Sequence, residues 1–471
     1  MIAKLPARKF AAICSSVMIL AIAPAASSGE TLSDTLVAAY KHSGLLEQNR
    51  ALLRAADEGV AQAVSALRPI ISWSADLSRQ FGNGKNAFGI ATASSSTTAN
   101  IGLSAEILLY DFGATPLRAE IARESVLATR QTLLAVEQNV LQRAVAAYMN
   151  VRRSSEFVAL RNNNVRLISQ ELRAARDRFE VGEVTRTDVA LAEARLAAAR
   201  SGLAAAQGDL MRAQEEYRAA VGHKPRSLSA PPRVPNAAKS VDAAKAIARR
   251  NHPEMAKVQH DVKAAELSVL LAEAAMKPSI RLTGQYGLSE GLNSSFNNSG
   301  GSIGIRAAGP IYQGGRLSSL LRQSMAQRDV ARASLHVVRM GVDQSVGNAF
   351  AQLSVARASL AATEQQVRAS RVAFRGLREE ASLGARTTLD VLNAEQELLN
   401  AQATQISAMA DEQIAAYTLL ASMGMLTAEQ LRLRVQIYDP EAYYKQVKDA
   451  PTLRSKQGQK LDRVLRAIGK E

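Results

Sequence analysis

The chain repeats itself, and that duplication constrains its fold more than any other feature. Gly182 and Gly384 stand 202 residues apart, and the same offset joins Asp188 to Asp390, Val189 to Val391, Glu193 to Glu395, Leu196 to Leu398 and Gly222 to Gly424. Tyr110 and Tyr312 obey it too, each followed closely by glycine, at Gly113 and at Gly314-Gly315. Farther upstream the offset becomes 209, which aligns Pro69 with Pro278. The seven-residue difference falls between the prolines and the tyrosines, where loops are expected. Two copies of one unit, joined by the Pro-rich stretch from Pro225 to Pro235, account for most of the chain.

Each copy reads in the same order: a helix, two short strands, a very long helix, a tight break and a second long helix. In the first copy no glycine occurs from Ala114 to Val181 and no proline from Leu117 to Lys224. A helix from about Ala114 to Arg178 would be about 100 Å long, far beyond the three or four turns usual in globular proteins. Such a helix needs neighbours along its whole length. In the returning helix Leu196, Leu203, Leu210 and Tyr217 recur every seven residues, interleaved with Ala199, Ala206, Ala213 and Ala220. That is a coiled-coil-like seam whose small residues permit close approach. The second copy keeps the step with Leu392, Leu399, Ile406 and Leu420, interrupted by Gln413.

Between Pro69 and Tyr110 the period switches to two. Ile71, Trp73, Ala75 and Leu77 alternate with Ser72, Ser74, Asp76 and Ser78, and Ile101, Leu103, Ala105, Ile107 and Leu109 alternate with Gly102, Ser104 and Glu106. The second copy repeats the pattern over Ile280, Leu282 and Tyr286, and more weakly over Ile303 and Ile305. Strands are expected near 70–78, 100–110, 279–288 and 302–312, with Gly82-Asn83-Gly84 and Gly300-Gly301 in the joining loops. Segments of about ten residues with one apolar and one polar face suit a tilted membrane strand, although a soluble hairpin alternates in the same way. Four strands cannot close a barrel, since the smallest transmembrane barrels need about eight and open edges are not tolerated in lipid. Oligomerisation is therefore expected: two chains would give eight strands and three would give twelve.

The N-terminus reads as a secretory leader over 1–25, with Lys4, Arg8 and Lys9 before the apolar run Phe10 to Ala23 and a small-residue exit at Ala23-Pro24-Ala25. Cys14, the only cysteine, lies within that run, so the mature chain is expected to hold neither disulfides nor thiolate metal sites. Losing three leader cations takes the formal charge from +15 to +12. An exported chain with 4% aromatics and no aromatic-basic interleaving does not suit nucleic acid, and solvated helix faces account for the charge. The remaining chain divides into a first repeat at 26–222, a linker at 223–239, a second repeat at 240–426 and a basic periplasmic tail at 427–471, of which Lys445 to Lys470 is expected to be a mobile extension. The five histidines (His42, His223, His252, His260 and His336) are scattered, and neither a catalytic constellation nor a cofactor or metal site is expected.

Taken together these features resemble the TolC family, over the chain up to about Leu426. The most specific segments are the helix breaks from Arg178 to Val189 and from Ala381 to Asn393, with the turns Tyr110-Asp111-Phe112-Gly113 and Tyr312-Gln313-Gly314-Gly315. The resemblance implies a mainly α fold with a small β part. Long α-helical hairpins would form a periplasmic α-barrel, and four membrane strands per chain would contribute to a trimeric 12-stranded β-barrel. It implies an outer-membrane exit duct for multidrug efflux or type I protein secretion. The implied partners are two further copies, a periplasmic adaptor (membrane fusion) protein and an inner-membrane RND or ABC transporter.

Family members close at the hairpin tips, here near Gly182 and Gly384. The gating arginine of the family matches Arg386, its carboxylate partner matches Asp188, and an acidic residue facing the entrance matches Asp390. Ala381 stands where a tyrosine often adds to the latch, and Asn393 where a second acidic ring is common. Those departures imply a less tightly bolted closed state and a weaker cation preference. Helix capping without gating is the other reading of Asp188 and Arg386. A non-transporting coiled-coil spacer or adhesin explains the helices, but not the amphipathic strands or the duplicated turns.

Overall fold

The computed structural model describes residues 29–85, 87–235, 238–293 and 297–468. The expected leader and Cys14 lie outside the described residues. The first copy consists of α1 (Leu32–His42), α2 (Gly44–Ser65), β1 (Ile70–Lys85), β2 (Ala91–Tyr110), α3 (Ala114–Glu180) and α4 (Arg186–Val221). The second consists of α5 (Val241–Asn251), α6 (Pro253–Ala274), β3 (Ser279–Gly291), β4 (Asn297–Ala308), α7 (Arg316–Ser382) and α8 (Thr388–Ser422). α9 (Pro440–Val447) and α10 (Lys456–Ile468) follow. The starts of α2 and α6, and of β1 and β3, keep the offset of 209, whereas α3 and α7 keep 202. The seven residues are lost inside the strand pairs, because β1 and β2 are longer than β3 and β4.

α3 and α7 each run for 67 residues, about 100 Å, and no single partner matches that length. α4 covers the tip half of α3, and α2 covers the half near the sheet. α8 and α6 likewise lie beside both α3 and α7. The protomer is thus a wall of four columns: α2 above α4, then α3, then α6 above α8, then α7. Two glycines make the end-to-end joints possible. Gly222 caps α4 at φ +97 against the His42 ring, and Gly424 turns at φ +75 where a Cβ would lie 2.5 Å from the Asn251 carbonyl oxygen. Only glycine combines that backbone with that proximity.

The main core lies at the level of these joints, where Leu141, Val145, Tyr148, Tyr217, Leu419 and Met423 are buried together. Tyr148 and Tyr217 are bonded by the segment joining the two copies and by Glu30, ahead of α1. The Tyr148 hydroxyl donates to the Ser229 carbonyl at 2.7 Å, and the Tyr217 hydroxyl donates to Glu30 at 2.7 Å. Gln413, the residue that breaks the seven-step, is buried and donates to the Pro232 carbonyl at 3.2 Å.

The sheet is antiparallel in the order β1-β2-β3-β4, so sequence neighbours are spatial neighbours and β1 and β4 are its edges. Two expected loops are strand instead. Gly82, Asn83 and Gly84 pair with Ser94, Ala93 and Thr92, and Gly300 and Gly301 pair with Gly287 and Tyr286. The glycines mark turns by composition, but the ladder continues through them because each has a partner residue opposite. β4 also ends at Ala308, short of the expected Tyr312.

The C-terminal segment folds rather than trailing as the expected mobile extension. α9 packs on α2. The Tyr443 hydroxyl donates to Glu58 at 2.7 Å, while Arg50 lies over Tyr438 and Arg130 over Tyr444, with ring-centre distances of 5.2 and 5.5 Å. Three tyrosines thus anchor the residues just before the basic stretch, and within that stretch α10 packs Leu461 against α9 and the Ala450 carbonyl accepts from Arg68.

Candidate functional site: the sheet and the helix tips

The two faces of the sheet differ in chemistry. Cross-strand register aligns Trp73, Leu103 and Tyr286 in one row and Ile71, Ala105, Gly284 and Ile303 in the next. Opposite them lie rows of Ser72, Ser104, Gln285 and Ser302, and of Asp76, Asn100, Ser289 and Asn298. Trp73 is 75% exposed and Ile303 86%, so among the described residues nothing covers the apolar face. Apolar rows of this size are stable only against an apolar medium. An apolar band on one face with a polar opposite face is the pattern of an outer-membrane barrel wall. Among the described residues no helix is long and apolar enough to cross a membrane. On the polar face the Glu106 carboxylate binds Arg281, and Arg281 stands directly opposite Arg306.

At the far end of the wall, α3 and α7 stop at Val181 and Leu383, and Gly182 and Gly384 turn the chain at φ +81 and +78. The Glu183 N–H reaches back to the Arg178 carbonyl at 2.9 Å, and Ala385 to Glu380 at 3.0 Å, which closes each helix end. The next helices then start from reciprocal caps. Thr185 Oγ1 accepts from the Asp188 N–H and the Asp188 carboxylate accepts from the Thr185 N–H; Thr387 and Asp390 repeat the arrangement. The bonds from the threonine hydroxyl and amide hold both aspartates below the usual carboxylate range.

The two tips lie side by side, and one cleft is lined by Arg178, Glu183, Asp188, Ala381, Leu383 and Arg386. Asp188 and Arg386 therefore share a site, but the expected bond between them is absent from the protomer. Arg386 Nε instead donates to Glu380 Oε2 at 2.9 Å, across its own glycine turn, and Asp188 is occupied as a cap. Asn393 is exposed and accepts from Arg195 of α4 at 3.1 Å, a link between the two hairpins that sequence spacing did not suggest.

Two further links tie α3 to the second hairpin close to the tips. Arg378 of α7 pairs with Glu171 at 3.3 Å, and Asn164 Nδ2 donates to Glu395 Oε1 at 2.7 Å. Glu395 is 6% exposed, its second oxygen has no partner, and burial pushes its carboxyl up to about 7. Its duplicate Glu193 is exposed and pairs with Arg176. The repeat marked both residues, but only the column position of α8, between α3 and α7, buries the second. Three of the histidines have structural partners: His252 caps α6, His260 pairs with Glu124 and His223 with Glu30. No cluster of three or more metal-binding side chains occurs among the described residues.

A two-faced membrane sheet with open edges, carried on a wall of helices about 100 Å long, defines a channel protein of the outer membrane that reaches into the periplasm. The chain belongs to the outer membrane efflux protein family, whose profile matches residues 36–223 and 246–425, one match for each copy of the repeat. It is 39% identical over 427 residues to the outer membrane efflux protein BepC of Brucella suis biovar 1 (strain 1330), covering 90% of this chain and 92% of that protein. It is 24% identical to the outer membrane protein TolC of Escherichia coli (strain K12), covering 85% and 84%. The Campylobacter jejuni CmeC outer membrane channel superposes with a TM-score of 0.73 at 16% identity, over 90% of each chain, and so shares the fold. The protein is an outer-membrane export duct.

Proposed function

We propose that three copies close one duct of twelve strands and twelve helical columns, gated where the α3–α4 and α7–α8 tips meet. The duct accepts cargo from a periplasmic adaptor and an inner-membrane transporter of the RND or ABC class. The observation that carries the oligomer is the open sheet: among the described residues β1 and β4 are its edges, with no strand beyond either, and lipid does not tolerate open edges. The four columns of the helical wall match the four strands, so three copies would close sheet and wall together.

At the tips, Asp188 and Arg386 face one cleft, and Gly182 and Gly384 give the turns a backbone that can reorient. Arg386 is held by Glu380 within the protomer, and its exchange between Glu380 and a carboxylate across the cleft is the proposed bolt. Three copies of Asp390 would form a ring that attracts cations. With Ala381 in place of a latch tyrosine and Asn393 in place of an acid, the closed state rests on few bonds. The efflux role named for the BepC relative supports small-molecule cargo; a secreted protein is the second cargo reading.

Native mass spectrometry of the detergent-extracted protein tests the closure. A mass of three chains is expected, and a monomer or dimer retaining the folded sheet refutes it.

A further inference from the structure

We propose that α10 is a membrane-surface helix, which lies on the anionic phospholipid headgroups of the leaflet facing the periplasm and steadies the duct where helices give way to sheet. At helical spacing, Lys456, Lys460, Arg463 and Arg466 fall on one side of α10, and Leu461, Val464 and Leu465 fall on the other. Among the described residues none of these four cations forms an ion pair, and Asp462 is the one acid of the helix. The apolar side is covered only in part. Leu461 is buried against Tyr443 and Val447 of α9, but α9 has eight residues to the 13 of α10. Beyond its reach Val464 is 43% exposed, and Leu465 is exposed as well.

The position of the helix selects the occupant. Arg68 stands two residues before β1 and donates to the Ala450 carbonyl at 2.6 Å and to the Asp449 carbonyl. The turn between α9 and α10 is thereby pinned at the seam where the membrane sheet begins, and Leu453 in that turn is 74% exposed. Gln457 in the first turn of α10 donates to the Gln446 carbonyl at 2.5 Å, which holds α10 beside α9 at that seam. A basic face, an uncovered apolar face and a position at the bilayer boundary match a helix lying in the interfacial plane. Basic residues near a negatively charged leaflet add attraction that high salt removes. A surface of another protein would need acids opposite four cations; phospholipid headgroups supply that charge continuously.

The test uses the full-length channel with Val464→Trp in a Trp73→Phe background, so that the indole in α10 is the only one in the chain. The protein is reconstituted in phosphatidylcholine vesicles with or without phosphatidylglycerol, and quenching by bromine-labelled phospholipid is measured. Channel formation in bilayers checks that each variant is folded. Phosphatidylglycerol is expected to shift the emission to the blue and make it quenchable. Adding Lys460→Gln, Arg463→Gln and Arg466→Gln should weaken that response by about fivefold per cation removed. An indole equally exposed and unquenched in both lipids overturns the proposal. So does an emission already blue-shifted in detergent and unquenched in vesicles, because a protein surface would then cover the helix.

Discussion

Glu395→Gln is the sharpest perturbation of the entrance, because the burial of its carboxyl sets the sign of the effect and about how large it is. The carboxyl is buried between α3 and α8, with one oxygen bonded to Asn164 and the other unpartnered. Burial is the main reason that it titrates near 7 rather than at its ordinary 4.5; Glu171 adds to the rise, while Asn164, Arg378 and Arg195 oppose it. The folded form therefore binds the proton more tightly than the unfolded form. The contact is strongest at low pH, weakens as pH rises from about 4.5 to about 7, and stays weak above that. The full displacement is worth about 3 kcal/mol, of which about 2 kcal/mol lies between pH 5.5 and pH 8.5.

Hydrogen exchange of the segments 160–175 and 388–400, corrected for intrinsic rates, reads that local stability. In the wild type the opening equilibrium should rise about 30-fold between those two pH values. Glutamine keeps the shape and an acceptor for Asn164 but has no charge, so Glu395→Gln should show no such rise and should be better protected at pH 8.5. A variant with the slope of the wild type, or a wild type without slope, refutes the burial argument.

Four further outcomes follow from local geometry. Gly384→Ala should cost about 1 kcal/mol for its left-handed backbone, since nothing lies near its Cβ position. Gly424→Ala should cost about 3 kcal/mol in thermal unfolding, because the Asn251 carbonyl would be the atom forced to move. Thr185→Ala removes the hydroxyl that caps α4 and should cost about 1 kcal/mol, seen as faster amide exchange in the first turn after Thr185. Asp390→Asn should lower the cation preference, measured as a smaller reversal potential across a salt gradient.

The duplication was legible because long helices and glycine turns leave marks at fixed spacing, and the seven-residue shift falls in the interval between the prolines and the tyrosines, though in longer strands rather than in the expected loops. Strand ends were not legible, since Gly82 to Gly84 look like a turn until the ladder opposite them is known. At the tips, Thr185 and Thr387 stand three residues before an aspartate, a capping signal visible in the sequence. The bond from Arg386 to Glu380 was not visible, because it spans a turn whose geometry only the backbone provides. Glu193 and Glu395 show the same limit: equivalent by repeat, they differ because one column lies at the protomer edge and the other inside it.

The central claim is a hollow duct narrowed at its helix tips, and single-channel conductance of the purified protein in planar bilayers tests it most directly. Wild-type protein should give a small cation-preferring current, and Arg386→Ala with Asp188→Ala should enlarge it. Folded, oligomeric protein that passes no current in either form would contradict the account.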